Sequence, residues 1–233
     1  MSDRKSILAI GAHAADMEIS AGAVLAKCAS QGGEITLLHL TLGERGHPSL
    51  DPDAYAAQKH TEAEEAAKEL GGQAIFLPYK DGELPDIEEI RYQVCDVIRE
   101  VKPTIILSHW KNSIHKDHAA AHRIVEDAVF YAAIPGIVRT RPNHRGASLY
   151  YTENWEDPEG FTPYYCMDIT GFMEIWERAA RKYELFSGTI SSFPYLDYYR
   201  SLARIRGALS AVEFACAFDI SEFGKKRRVD MLP

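Results

Sequence analysis

The chain has 233 residues, of which 46% are hydrophobic and 26% are charged. It can therefore bury a large core, and it is neither a disordered tail nor a mini-protein that needs disulfides to fold. Its 26 Lys and Arg against 34 Asp and Glu give a formal charge of -8, which disfavours a nucleic-acid partner because such proteins carry a basic face. Nine histidines are present, and several crowd into residues 109–122, where we expect the chemistry.

Short apolar runs alternate with segments of helical spacing through the first half of the chain. The apolar runs predict strands over residues 7–10, 34–42, 74–77 and 104–108, and the intervening segments predict helices over 21–30, 53–70, 87–101 and 117–133. Asp117 is the expected cap of the last of these helices. Apolar strands that alternate with helices predict an α/β fold, in which a parallel sheet is covered on both faces.

The second half of the chain departs from this alternation. Residues 139–165 are irregular, aromatic and rich in Pro and Gly, which predicts a loop or hairpin that walls a pocket. Helical spacing returns over 169–183 and 195–209. Because no repeat or linker divides the sequence, we expect a single domain over residues 1–233.

No part of the sequence predicts a membrane span or a secretion signal. The first apolar run, residues 7–10, is too short for a signal-peptide core, and no apolar stretch approaches ~20 residues. The four cysteines are far apart and form no CxxC pair, which is typical of reduced thiols. We therefore expect a cytoplasmic protein.

Two histidine-bearing segments follow two of the predicted strands. The segment HAAD (13–16) follows the first strand, and HKDH (115–118) follows the strand over 104–108. Parallel sheets place their sites in the loops that leave the carboxyl ends of strands. Two imidazoles and one carboxylate from such loops would bind a divalent metal and leave one coordination position for water, as catalytic zinc requires. A single histidine at a strand end is more often a surface or capping residue, but the shared placement favours a metal site.

These segments resemble the motifs of the LmbE-like, or PIG-L, metal-dependent deacetylases. The string GAHAADME (11–18) is similar to the AHPDDxE opening of that family, and LTLGERG (40–46) is similar to its second-strand exit. HKDH (115–118) resembles its HPDH, and Asp81-Gly82 follows the third strand as in the family. The resemblance is clear to about Ala133, and it implies a Rossmann-like three-layer α/β/α sandwich with a mostly parallel sheet.

The resemblance also implies roles for individual residues. By position, His13, Asp16 and His118 would bind the metal, commonly Zn²⁺, and His115 would stabilise the oxyanion or protonate the leaving amine. Asp117 would orient His115.

A second set of residues is expected to bind the substrate. Lys59 falls where the family usually places an Arg that contacts substrate, and Asp81 would hydrogen-bond sugar hydroxyls. Glu44 and Arg45 in the GERG string complete this set. His109 and His122 are further candidates for the pocket, although a packed imidazole is the more common fate of such residues.

Ala15 departs from the family pattern. In the family this position holds an Asp that serves as general base, and a positioned base contributes roughly 10²–10⁴-fold to the rate. Three explanations stay open: Ala15 is an engineered substitution, His115 or Glu18 serves as the base, or the protein belongs to a branch with other chemistry. The strings HAAD (13–16) and GERG (43–46) resemble the family's hydratase branch, which acts on unsaturated dicarboxylic acids such as 4-oxalomesaconate.

The leading expectation is a zinc-dependent hydrolase that removes an acyl group from an amide of a small sugar-like molecule. The alternative is a zinc-dependent hydratase or lyase of a small unsaturated carboxylic acid, or a base-less relative with weak or no activity. The expected partner is a small-molecule substrate, and the sequence leaves a homo-oligomer open.

Overall fold

The computed structural model describes residues 5–157 and 159–226. In chain order, its elements are β1 (Ser6–His13), α1 (Asp16–Ser30), β2 (Glu34–Thr41), α2 (Pro52–Glu69), β3 (Gln73–Tyr79), α3 (Glu88–Val101), β4 (Ile105–Ser108), α4 (Lys116–Ala133), β5 (Ser148–Thr152), β6 (Tyr165–Asp168), α5 (Met173–Ala180), α6 (Tyr195–Leu209) and β7 (Ala215–Asp219). A short 3-10 turn, Glu184–Ser187, lies between α5 and α6.

These strands form one sheet in the order β3-β2-β1-β4-β5-β7-β6. The pairs from β3 to β5 are parallel, and β7 runs antiparallel to both of its neighbours. One face of the sheet packs against α1, α2, α5 and α6, and the other packs against α3 and α4. The predicted three-layer α/β/α fold with a mostly parallel sheet is confirmed.

The central strand β1 shows why the sequence adopts this arrangement. Its side chains are buried along its whole length; Ile7 and Ala9 join one core, whereas Leu8 and Ile10 join the other. Because β1 is covered on both faces, its sequence is an almost continuous apolar run rather than an alternation of apolar and polar residues. From β1, the strands β2 and β3 are added towards one edge of the sheet, whereas β4 is added on the other side of β1. The order of the strands therefore reverses at β1. Ligand sites form at the carboxyl ends of such strands.

Several predicted boundaries were wrong. The first helix begins at Asp16 rather than at residue 21, and the cap of α4 is His115 rather than Asp117. The helix predicted over 169–183 is reduced to α5, and β5 lies inside the segment expected to be irregular. The short strands β5 to β7 pair with partners that are distant in sequence, so their local sequence does not specify them. Among the described residues, no helix is long and apolar enough to cross a bilayer.

Candidate metal centre

The first loop of the site joins β1 to α1 through a left-handed residue. Ala15 has a φ of 97°, which turns the chain between His13 and Asp16. The carboxylate of Asp16 accepts a hydrogen bond from the backbone N–H of His13 at 2.7 Å. The buried ammonium of Lys59 donates to the carbonyl of Ala14 at 2.6 Å. The Asp16 carboxylate and the Lys59 ammonium therefore both hold the backbone of this loop in place.

The left-handed conformation of Ala15 predicts an unusual response to glycine. A non-glycine residue in this region costs about 1–2 kcal/mol, and glycine relieves that cost. We expect Ala15→Gly to unfold at the parent's urea midpoint or above it. Ala14→Gly is the matched control, because Ala14 is equally buried and its φ is not positive; its free energy of unfolding should fall by about 0.4–1 kcal/mol. Equal losses in urea titrations of the two metal-free variants would contradict the prediction.

The second loop follows β4 and ends at the amino terminus of α4. His115 caps this helix, and its Nδ1 accepts a hydrogen bond from the backbone N–H of Asp117 at 3.3 Å. His118 lies in the first helical turn and is only 2% exposed. Because β1 and β4 are adjacent, this turn faces the loop that carries His13 and Asp16.

Three donor atoms from these two loops form a nearly equilateral triangle. His13 Nδ1 lies 3.3 Å from Asp16 Oδ2 and 3.2 Å from His118 Nε2, and the third side, from His118 Nε2 to Asp16 Oδ2, is 3.4 Å. Ligand bonds of about 2.0–2.1 Å in a tetrahedral zinc site place neighbouring ligand atoms about 3.3 Å apart. The triangle therefore fits one face of a zinc coordination sphere.

The outer nitrogens of the two imidazoles face carboxylates. His13 Nε2 lies 3.1 Å from Asp81 Oδ1 and 3.4 Å from Asp117 Oδ2, and His118 Nδ1 lies 3.2 Å from Glu156 Oε2. Metal-binding histidines typically donate their second N–H to such a group, which fixes the tautomer. Asp117 contacts His115 through its backbone amide, as described above, while its carboxylate contacts His13.

The charges of this cluster favour a bound cation. Burial disfavours the charged forms of both His13 and Asp16. Asp16 and the other carboxylates nevertheless raise the pKa of His13 well above its usual value. Against the same effect of burial, His118 and His13 hold the pKa of Asp16 well below its usual value. Asp16 is therefore ionised, and a divalent metal can replace the proton that His13 holds.

His115 lies beside the triangle without being part of it. Its ring centroid is 4.6 Å from that of His13 and 4.9 Å from that of His118. Because Nδ1 accepts the Asp117 N–H, the neutral ring carries its proton on Nε2. Burial, together with His13 and His118, lowers the pKa of His115. A neutral imidazole that carries its proton on Nε2 can donate a hydrogen bond to an oxyanion, whereas protonation of a leaving group would need the imidazolium form.

These residues line a cavity of about 200 Å³. The lining combines these polar residues with the aromatic side chains of Trp155, Phe186, Tyr195 and Tyr199. The ring of Trp155 stacks on Phe193 with centroids 4.3 Å apart. Drug-sized ligands occupy cavities of about 300–1,000 Å³, so this cavity suits a smaller molecule.

Comparison with known proteins agrees with this geometry. The family model described as "PIG-L: GlcNAc-PI de-N-acetylase" matches residues 8–129, which include both loops of the site. The chain belongs to the PIG-L family. The resemblance seen in the sequence is thereby confirmed.

Two curated relatives of this PIG-L chain differ in their named activities. A diacetylchitobiose deacetylase of Thermococcus kodakarensis is 29% identical over 233 aligned residues, which cover 92% of this chain and 82% of the relative. A 4-oxalmesaconate hydratase of Pseudomonas putida is 27% identical over 216 aligned residues, covering 88% and 80%. Among solved structures, an N,N'-diacetylchitobiose deacetylase from Pyrococcus horikoshii superposes with a TM-score of 0.82 at 25% identity, covering 94% of this chain and 84% of that one.

The four predicted substrate-binding residues of this PIG-L chain fall into two groups. Lys59 and Asp81 line the cavity, whereas Glu44 and Arg45 do not. The Glu44 carboxylate accepts the N–H of Asp81 at 3.0 Å, and Arg45 pairs with Glu83 at 2.8 Å. The charges of Glu44 and Arg45 are thus used to hold the Asp81 turn against the neighbouring loop.

Other residues singled out from the sequence lie behind the cavity. Glu18 is completely buried and hydrogen-bonds to the Tyr183 hydroxyl, so it is not placed to act as the missing base. His109 Nε2 lies 3.2 Å from Asp16 Oδ2, and its carbonyl accepts from His122 Nδ1 at 2.9 Å. Both of these histidines are buried supports of the PIG-L site.

The cavity also contains residues that the sequence analysis missed. Trp155 and Glu156 belong to residues 139–165, here called the wall segment, and Tyr195 is the first residue of α6. The sequence signal for Glu156 and Trp155 is the aromatic character of residues 139–165, which predicts a wall without naming its members. Tyr195 falls in the segment predicted as a helix over 195–209, and nothing in that pattern indicates a cavity residue.

Proposed function

We propose that the protein is a zinc-dependent deacetylase that hydrolyses the N-acyl amide of a small sugar-like molecule. The observation that carries the proposal is the triangle of His13, Asp16 and His118 donor atoms, with the proton-bearing His115 beside it, in a PIG-L chain. The named deacetylase relatives support the same chemistry.

The site residues divide the work of amide hydrolysis. His13, Asp16 and His118 would hold the metal, which polarises an acyl oxygen and lowers the pKa of a water when bound. His115 would donate a hydrogen bond from Nε2 to the developing oxyanion, and the leaving amine would take up the proton that the attacking water loses. Asp81 lines the cavity and keeps His13 in one tautomer, and Lys59 holds the loop that carries Asp16.

Hydration of a small unsaturated acid is a second candidate, and Ala15 favours it. Ala15 is one of the residues that line the cavity, at the position where the family resemblance implies a carboxylate base. Among the described residues that line this cavity, the carboxylates are Asp16, Asp81 and Glu156, and each already contacts an imidazole of the site. Hydration of a double bond transfers both the hydroxyl and the proton of one water to the substrate, so a site without a dedicated base would suit it.

One assay separates these functions. Zinc-loaded protein is incubated with N,N'-diacetylchitobiose and, separately, with 4-oxalmesaconate. The proposal expects acetate release from the chitobiose that stops when a chelator removes the metal and returns when zinc is restored. Loss of the conjugated-acid absorbance without acetate release would support the hydratase. Absence of both reactions in protein that binds zinc would contradict both activities.

A further inference from the structure

Glu156 reaches the metal centre from the wall segment rather than from the two histidine-bearing loops. Its Oε2 lies 3.2 Å from His118 Nδ1, and its side chain is 18% exposed. Among the described residues, no Lys or Arg pairs with this carboxylate, and the side chain that faces it is the His118 imidazole. Glu156 also lies beyond residues 8–129, the part of the chain that the family model matches.

The backbone of Glu156 is fixed against the second loop of the site. Its N–H donates to Asn154 Oδ1 at 3.1 Å, and its carbonyl accepts from the N–H of Ile114 at 2.9 Å. The Ser113 hydroxyl donates to the same carbonyl at 3.4 Å. Asn154 is held in turn by the Tyr199 hydroxyl at 3.1 Å. The carboxylate therefore has a defined place relative to His118.

This contact favours one nitrogen of His118 for metal binding. An ionised carboxylate only accepts hydrogen bonds, so Glu156 Oε2 at 3.2 Å favours the tautomer with the proton on His118 Nδ1. The Ser113 hydroxyl lies 3.4 Å from the same nitrogen and donates its own proton to the Glu156 carbonyl, so its oxygen is also placed to accept from Nδ1. The lone pair then lies on Nε2, which is the atom that completes the triangle with His13 and Asp16. A carboxylate in this position also makes the imidazole a stronger ligand.

We propose that Glu156 is a positioning residue of the metal centre, which fixes the tautomer and ring orientation of His118 and increases its affinity for the metal. This inference rests on the metal centre of the proposed function. Trp155 lines the cavity and immediately precedes Glu156. Through Glu156, the wall segment therefore also contacts the proposed ligand His118.

The test removes the negative charge of the Glu156 side chain and keeps its size and shape. Glu156→Gln should weaken zinc binding by about 10–100-fold, measured by competition with a chromophoric chelator. Glu159→Gln is the matched control, because Glu159 lies in the same segment and is exposed; its zinc affinity should equal that of the parent. In the zinc-loaded protein, the Nδ1 proton resonance of His118 should move upfield in Glu156→Gln, since a neutral amide accepts a weaker hydrogen bond than a carboxylate.

Thermal unfolding of the metal-free proteins checks that the substitution leaves the fold intact. Zinc affinity within twofold of the parent in folded Glu156→Gln would overturn the inference while leaving the proposed function in place. Equal weakening in Glu159→Gln would also overturn it, because a general charge effect would then be sufficient. If His118→Ala binds zinc as tightly as the parent, the metal centre itself is misplaced, and both proposals fail.

Discussion

Ala15→Asp is expected to raise amide hydrolysis by about 10²–10⁴-fold, the usual contribution of a positioned general base. Ala15 lines the cavity and immediately precedes Asp16, the proposed metal ligand, so the substitution adds a carboxylate next to the proposed metal centre. Its left-handed conformation is tolerated better by Asp than by most residues. The measurement is the rate of acetate release from N,N'-diacetylchitobiose by zinc-loaded parent and variant.

Ala15→Asn is the matched control for this experiment. Asn has nearly the same shape as Asp and the same tolerance of the left-handed region, but its amide cannot accept the proton. Its rate should stay at the parental level. If Ala15→Asp binds zinc and also stays at that level, the deacetylase proposal is contradicted. Hydration of 4-oxalmesaconate by the parent would then identify the site as one that does not need a base at position 15.

The sequence predicted the parts of the fold that local pattern determines. Strands β1 to β4 and helices α1 to α4 follow from apolar runs and helical periodicity. The grouping of donor atoms from His13, Asp16 and His118 follows because both histidine segments leave adjacent strands; their role as metal ligands stays a prediction. In contrast, β5 pairs with β7 through Tyr151 and Asp219, two residues whose proximity depends on the whole chain. Glu156 escaped prediction for the same reason, since its partner His118 lies in a different loop.

Charged residues that the sequence assigned to the same role lie in different surroundings in the structure. Arg45 and Lys59 were both expected to bind substrate, but Arg45 forms an exposed ion pair with Glu83, whereas Lys59 is 2% exposed and lines the cavity. Residue type alone does not distinguish these outcomes, because burial depends on which loops meet. The cytoplasmic location and the homo-oligomer stay predictions.

His118→Ala is expected to abolish tight zinc binding and to lower activity by at least about 10³-fold. The substitution removes one corner of the triangle and leaves His13 and Asp16 as a two-ligand set. Metal polarisation contributes several kcal/mol to the transition state, and each 1.36 kcal/mol corresponds to tenfold in rate. Zinc content after gel filtration and acetate release measure the two effects.

His60→Ala is the control for loss of a histidine, because His60 lies on α2 outside the cavity lining and its side chain is 44% exposed. It should retain zinc and activity. His109→Ala tests the competing ligand set, since Asp16, His109 and His118 also lie close enough to hold an ion. Because His109 Nε2 already accepts the N–H of Ala12 at 2.9 Å, it has no lone pair left for a metal. We therefore expect His109→Ala to keep bound zinc; zinc lost from His109→Ala and retained by His13→Ala would make His109, not His13, the second imidazole ligand.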